Sequence, residues 1–119
     1  MSDVTTRELL YRAIDLLERP TSETVGLWPR ATAVLARQAL ERGLIEALSR
    51  KVSGIQRAPV RAQLLCLRIL LDDTATADEV NVAWWALSRA CHHLSYELPP
   101  TAEELRAWID VVDHFVEVT

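Results

Sequence analysis

Cysteine is scarce in this chain: Cys66 and Cys91 are the only two among 119 residues. Neither belongs to a CxxC pair, and both fall within apolar helical patterns, so we expect buried, reduced thiols rather than a disulfide framework. The sequence also lacks a glycine-rich phosphate loop, a Ser-His-Asp arrangement and any apolar run near the roughly 20 residues of a membrane span. Its first residues, MSDVTTRELL, lack the basic and apolar segments of a signal peptide, which predicts a cytoplasmic protein.

Net positive charge is absent as well, since the formal charge is −4. A chain with this balance has no general attraction for nucleic acid, so we expect no DNA binding, and any RNA contact must be local. Half of the residues are hydrophobic and a quarter are charged, which is typical of a globular protein with a core. The length predicts one domain over residues 1–119.

Helical signals recur along the whole chain, and no alternating strand pattern is present, so the sequence predicts an all-α, single-domain helical bundle. Thr-x-x-Glu capping boxes at Thr5, Thr76 and Thr101 mark three helix starts. Pro99-Pro100 ends the fourth helix. The five predicted helices cover about residues 6–18, 29–50, 59–71, 76–98 and 102–118.

Two helices carry features that predict their packing. The third, VRAQLLCLRILL, is apolar almost all round, which predicts a central position. Gly43 lies inside the second helix, where glycine costs roughly 1 kcal/mol against alanine, and it indicates either a kink or a tight crossing.

The fourth predicted helix has a regular apolar stripe for the core, with steps of four and three residues. Trp84 on this stripe and Trp108 on the last helix are predicted to be buried. Trp85 points elsewhere and is either a contact in an interface or part of a second core layer. The stripe consists of Val80, Trp84, Leu87, Cys91, Leu94 and Leu98.

A second face of the same helix carries Arg89, His93 and Tyr96 at positions i, i+4 and i+7, so these side chains are predicted neighbours. An arginine fork suits a phosphate, and a histidine titrates near neutral pH and suits a general base. Tyr96 can hydrogen-bond the phosphate or orient the imidazole, and the nearby Glu97 can raise the imidazole pKa. The alternative is a polar strip that faces a partner helix or solvent.

This chain, a short all-α domain in which an arginine is followed closely by a histidine and a tyrosine, resembles members of the HEPN superfamily. The second helix, WPRATAVLARQALERGLIEAL, is similar to that of many HEPN domains. The resemblance implies a metal-independent RNase, often with its site at a homodimer interface, in toxin–antitoxin, antiphage or RNA-processing systems. Arg89 then matches the motif arginine, His93 the motif histidine and Tyr96 the following tyrosine, with His92 as the second candidate histidine. Fewer residues separate Arg89 from His93 than the motif asks.

Other roles remain open at this point. The same strip suits a noncatalytic helical module that binds a protein partner, and a small-molecule pocket between helices is a weaker option. Trp85 beside Arg89 predicts a homodimer through that face. No cofactor is expected, and no metal site, because Cys91, His92 and His93 point in different directions on a helix. The basic cluster around the third helix is interpreted as a solvated edge, with an RNA-facing role as the weaker alternative, and consists of Arg57, Arg61 and Arg68.

Overall fold

Side-chain caps begin three of the five α-helices in the computed structural model, which describes residues 5–19, 21, 26–92 and 98–119. Within these residues the chain is all-α and contains no strand, which confirms the predicted helical bundle. No described helix is both long and apolar enough to cross a membrane. The five α-helices are α1 (Thr6–Glu18), α2 (Trp28–Leu48), α3 (Val60–Leu70), α4 (Thr74–Cys91) and α5 (Ala102–Val118), and a short 3₁₀ helix, Ile55–Arg57, precedes α3.

Two of the three predicted caps are present, and the third is replaced. Thr5 accepts a hydrogen bond from the Glu8 amide, and Thr101 forms the complete capping box with Glu104. The prediction that Thr76 caps the fourth helix is wrong. The Asp73 carboxylate accepts from both the Thr76 amide (3.1 Å) and the Thr76 hydroxyl (2.7 Å), so α4 begins at Thr74 and Thr76 is buried.

Helix α2 lies at the centre and packs against the other four α-helices. Its buried small residues, which include Ala33, Ala36 and Gly43, allow neighbouring backbones to come close. A Cβ atom built on Gly43 would lie 3.3 Å from Cε2 of Phe115. Gly43 therefore marks a tight crossing of α2 with α5 rather than a kink.

The predicted central position of the third helix is wrong, because α3 packs mainly against α2 and α4. Leu64 and Leu67 are buried, whereas Leu65 and Ile69 are 66% and 81% exposed. Periodicity shows which faces of a helix are apolar, but it does not show which faces the rest of the chain covers. Because α2 occupies the centre, one apolar face of α3 remains on the surface.

The fourth helix is shorter than predicted, since α4 ends at Cys91 and not at Leu98. The first four members of the predicted stripe, Val80 to Cys91, are buried, which confirms that part. Leu98 is 94% exposed, and Leu94 lies outside the described residues. Arg30 on α2 donates from Nε to the Cys91 carbonyl at 2.8 Å. This bond satisfies a carbonyl that a continuing helix would pair with a later amide.

Candidate functional site

Two of the four predicted site residues lie at the C-terminal end of α4. Arg89 occupies the last turn and His92 is the C-cap, and both are exposed. Their separation of three positions places them on the same side of the helix end. His93 and Tyr96 lie outside the described residues, so the structure brings Arg89 and His92 together and leaves the other two as sequence-based candidates.

Among the described residues, several arginines of the chain pair with carboxylates, and Arg89 does not. Its side chain forms no ion pair or hydrogen bond with any described residue. An unpaired guanidinium on the surface keeps its donors available for an anion such as a phosphate. The arginines that pair with carboxylates are Arg7, Arg19, Arg37, Arg68 and Arg106.

An open groove of about 810 Å³ runs between α4 and the start of α5, and Arg89 borders it. Val82, Leu98 and Trp108 supply apolar surface to its walls. Trp108, which the sequence placed in the core, is only partly buried and packs against the core from the groove side. The groove therefore combines apolar walls with a cation at its edge.

Trp85 borders both this groove and a second cavity of about 240 Å³ between α3 and α4. Trp85 is 46% exposed, so it lies outside the core stripe, as the sequence indicated. The Arg61 guanidinium lies 5.0 Å from the centroid of the Trp85 ring. Sequence reasoning assigned Arg61 to a solvated edge, because α3 and α4 carry no local signal of how they pack together.

Behind the exposed face, a polar network joins α4 to α2. Glu41 Oε2 accepts from Trp84 Nε1 at 2.9 Å and from Arg37 Nε at 3.0 Å, and the Arg37 guanidinium lies 5.5 Å from the Trp84 ring centroid. Burial raises the pKa of the Cys91 thiol, and the nearby Arg37 opposes that effect only in part. Cys91 is therefore a structural thiol rather than a nucleophile.

The described side chains include no group of three or more His, Cys, Asp or Glu residues that is placed to hold a metal ion. The chemistry available at the end of α4 is therefore that of a free guanidinium and an exposed imidazole beside apolar grooves. Comparisons of the chain with protein-family models, with curated proteins and with solved structures find no match.

Proposed function

We propose that this chain is a HEPN-like cytoplasmic domain that binds RNA and cleaves it without a metal ion at the C-terminal end of α4. The observation that carries the proposal is Arg89, which is exposed, borders a groove and has no partner among the described side chains. His92 beside it supplies an imidazole, and the sequence places His93 and Tyr96 directly after it. The all-α bundle and the motif resemblance support the same function.

The proposed chemistry needs only these side chains. Arg89 holds the scissile phosphate, while a histidine, His93 by the motif or His92, removes the proton from the ribose 2′-hydroxyl. The 2′-oxygen forms a new bond to phosphorus as the bond from phosphorus to the 5′-oxygen breaks, and the leaving 5′-oxygen takes up a proton. The products are a 2′,3′-cyclic phosphate and a free 5′-hydroxyl, and Tyr96 hydrogen-bonds the phosphate.

The direct test of Arg89 compares RNA cleavage by wild type, Arg89→Ala and Arg42→Ala in the presence of EDTA. Arg42 is an exposed arginine of α2 that borders neither groove of α4, so it controls for the loss of one positive charge. We expect cleavage by Arg89→Ala to fall by about 100-fold or more, as when a preorganised donor to a transition-state charge is removed. Equal cleavage by both variants would contradict the role of Arg89.

A second candidate function, association with a protein surface, rests on a different observation. Exposed apolar side chains of α4 and of the segment before α5 line the groove together, and a surface of this kind marks a contact site in many soluble proteins. The first occupant that we propose is a second copy of the chain, through the face that contains Trp85 and Arg89. Arg89 and Glu104 both border the groove, so a two-fold interface can place Arg89 of one copy opposite Glu104 of the other. The apolar residues are Val82, Trp85 and Leu98.

The rival within this class is a noncatalytic module that uses the same face for a different protein. In that case the wild type forms no homodimer and cuts no RNA. Measurements of the oligomeric state and of RNA cleavage therefore separate this rival from the homodimer and from the RNase.

A further inference from the structure

We propose that the cavity between α3 and α4 binds a nucleotide of single-stranded RNA, with Trp85 and Arg61 as its stacking surface. This inference rests on the proposed RNA function and names the form of RNA and the side chains that hold it. No part of the motif resemblance involves Arg61 or this cavity.

The Trp85 ring is held in a defined orientation. Its edge meets the Trp84 ring at a centroid distance of 4.9 Å and an interplanar angle of 79°, and Trp84 is fixed by its hydrogen bond to Glu41. The Arg61 guanidinium lies 5.0 Å from the centroid of the Trp85 ring, and both residues line the cavity. Aromatic rings and guanidinium planes are the surfaces on which unstacked bases stack in single-stranded RNA complexes.

The cavity itself has the composition that a base requires. Leu64, Leu65 and Ala77 give it apolar lining, and the amide of Asn81 offers both a donor and an acceptor to a base edge. Arg68 and Asp78 also line it, but they pair with each other. The volume is about 240 Å³, and Arg61 and Trp85 form part of its wall. An apolar slot with one amide and two stacking groups favours a flat heterocycle over an aliphatic side chain.

The charges near Trp85 also favour a strand with a phosphate backbone. Arg61 lies on one side, and Arg89 lies one helical turn after Trp85 along α4. Neither guanidinium pairs with a described carboxylate, whereas Arg68, at the same cavity, is paired with Asp78 at 2.8 Å. Two unpaired cations thus flank the exposed ring in a chain of net charge −4. This local charge suits phosphates that lie on either side of a stacked base.

Binding is measured by the fluorescence anisotropy of a fluorescein-labelled, single-stranded 2′-O-methyl RNA. The methyl group blocks the nucleophile, so this probe reports binding without cleavage. We expect Trp85→Ala to weaken binding by about tenfold or more, the effect of losing one stacked base, and Trp85→Phe to keep most of the affinity. Tyr11→Ala is the matched control, since Tyr11 is an exposed aromatic residue on α1 and should bind like wild type.

A second variant tests the cation independently of the tryptophan. Arg61→Ala should weaken binding and lower the slope of log affinity against log salt by about 0.7, the value for one phosphate contact on a single strand. Arg42→Ala should leave both unchanged. Circular dichroism of every variant confirms that the helices remain.

Several results would overturn the nucleotide site. These are a wild type that does not bind the probe, or Trp85→Ala and Arg61→Ala proteins that bind as tightly as wild type. A Trp85→Ala change that alters only sedimentation, with RNA affinity unchanged, would instead assign the surface to protein association. The nucleotide site is tested independently of cleavage. Probe binding that depends on Trp85 supports the site even if native RNA is left uncut. A Trp85→Ala protein that both binds the probe and cleaves native RNA as well as wild type would remove the site and leave the proposed function.

Discussion

Glu41 shows how a single carboxylate couples two helices at the residue scale. One oxygen, Oε2, accepts hydrogen bonds from Trp84 Nε1 of α4 and Arg37 Nε of α2. The tryptophan ring can therefore be buried while its N–H keeps a partner, which a buried donor requires. The sequence identified Trp84 as a core residue, but Glu41 lies 43 residues away and gave no local signal.

The first prediction concerns this buried ring. Trp84→Ala should lower the free energy of unfolding by about 3–5 kcal/mol, because it removes a large side chain from the core. Trp84→Phe keeps most of the ring volume and loses the bond to Glu41, so its cost should be smaller. Leu87→Ala, at a fully buried position, should cost about 2–5 kcal/mol.

Urea denaturation followed by circular dichroism measures all three variants. Tyr11→Ala, on an exposed face of α1, is the control and should change stability little. Losses below about 0.5 kcal/mol for both Trp84→Ala and Leu87→Ala would mean that this face of α4 is not the core face.

At the scale of the element, both ends of α4 are set by side chains outside the helix. Asp73 caps the start, and hydrogen bonds from the Thr76 side chain and then the Thr76 amide lower the pKa of its carboxyl group. A folded-state pKa below the unfolded value means that the charged cap stabilises the fold above about pH 4. This contribution is lost as the pH falls through the folded-state pKa.

The second prediction follows from this lowered pKa of Asp73. Asp73→Asn should lower the melting temperature at pH 7, and the difference from wild type should shrink as the pH falls below about 4. Asp72→Asn is the matched control, because its carboxylate makes no capping bond. Thermal unfolding at pH 7, 4 and 3 measures the difference. A difference in melting temperature between Asp73→Asn and wild type that stays constant over this pH range would show that the charge of the cap does not stabilise α4.

The two ends of α4 also show what local sequence can and cannot predict. The bounds of α1 and α5 agree with the prediction, because a threonine cap begins each helix and the signal is local. The end of α4 at Cys91 was not predicted, and the bond that satisfies the Cys91 carbonyl there comes from Arg30, 61 residues away. Tertiary contacts of this kind leave no periodic pattern in the sequence.

For the candidate site, the sequence indicated correctly that Trp85 lies off the core stripe and that Arg89 is on the exposed side of α4. It did not predict the groove, since that space depends on how α5 packs beside α4. It named Arg61 as part of a basic cluster but did not predict its contact with Trp85, which depends on the packing of α3.

At the scale of the whole molecule, the third prediction is a homodimer. Val82 is 64% exposed and borders the groove between α4 and α5, away from the cavity that Arg61 lines. A charge there should be costly in a packed apolar interface, so Val82→Asp should be a monomer that remains helical. Tyr11→Asp, an equally exposed position on α1, should stay dimeric.

Sedimentation velocity at high micromolar concentration measures the state of each protein. A wild type that is already monomeric under these conditions would refute the homodimer. A Val82→Asp protein that still pairs would move the interface away from this groove.

The histidine comparison tests the central claim, metal-independent RNA cleavage at the end of α4, most directly. Purified wild type, His93→Ala and His92→Ala are incubated with single-stranded RNA in EDTA, and the products are resolved with their 3′ ends identified. We expect wild type to leave 2′,3′-cyclic phosphate ends. Cleavage by His93→Ala should be slower by about 100-fold or more, and cleavage by His92→Ala should be reduced less. The reverse order would make His92 the base. Wild type that leaves the RNA intact, or His93→Ala and His92→Ala proteins that both cut as fast as wild type, would contradict the claim.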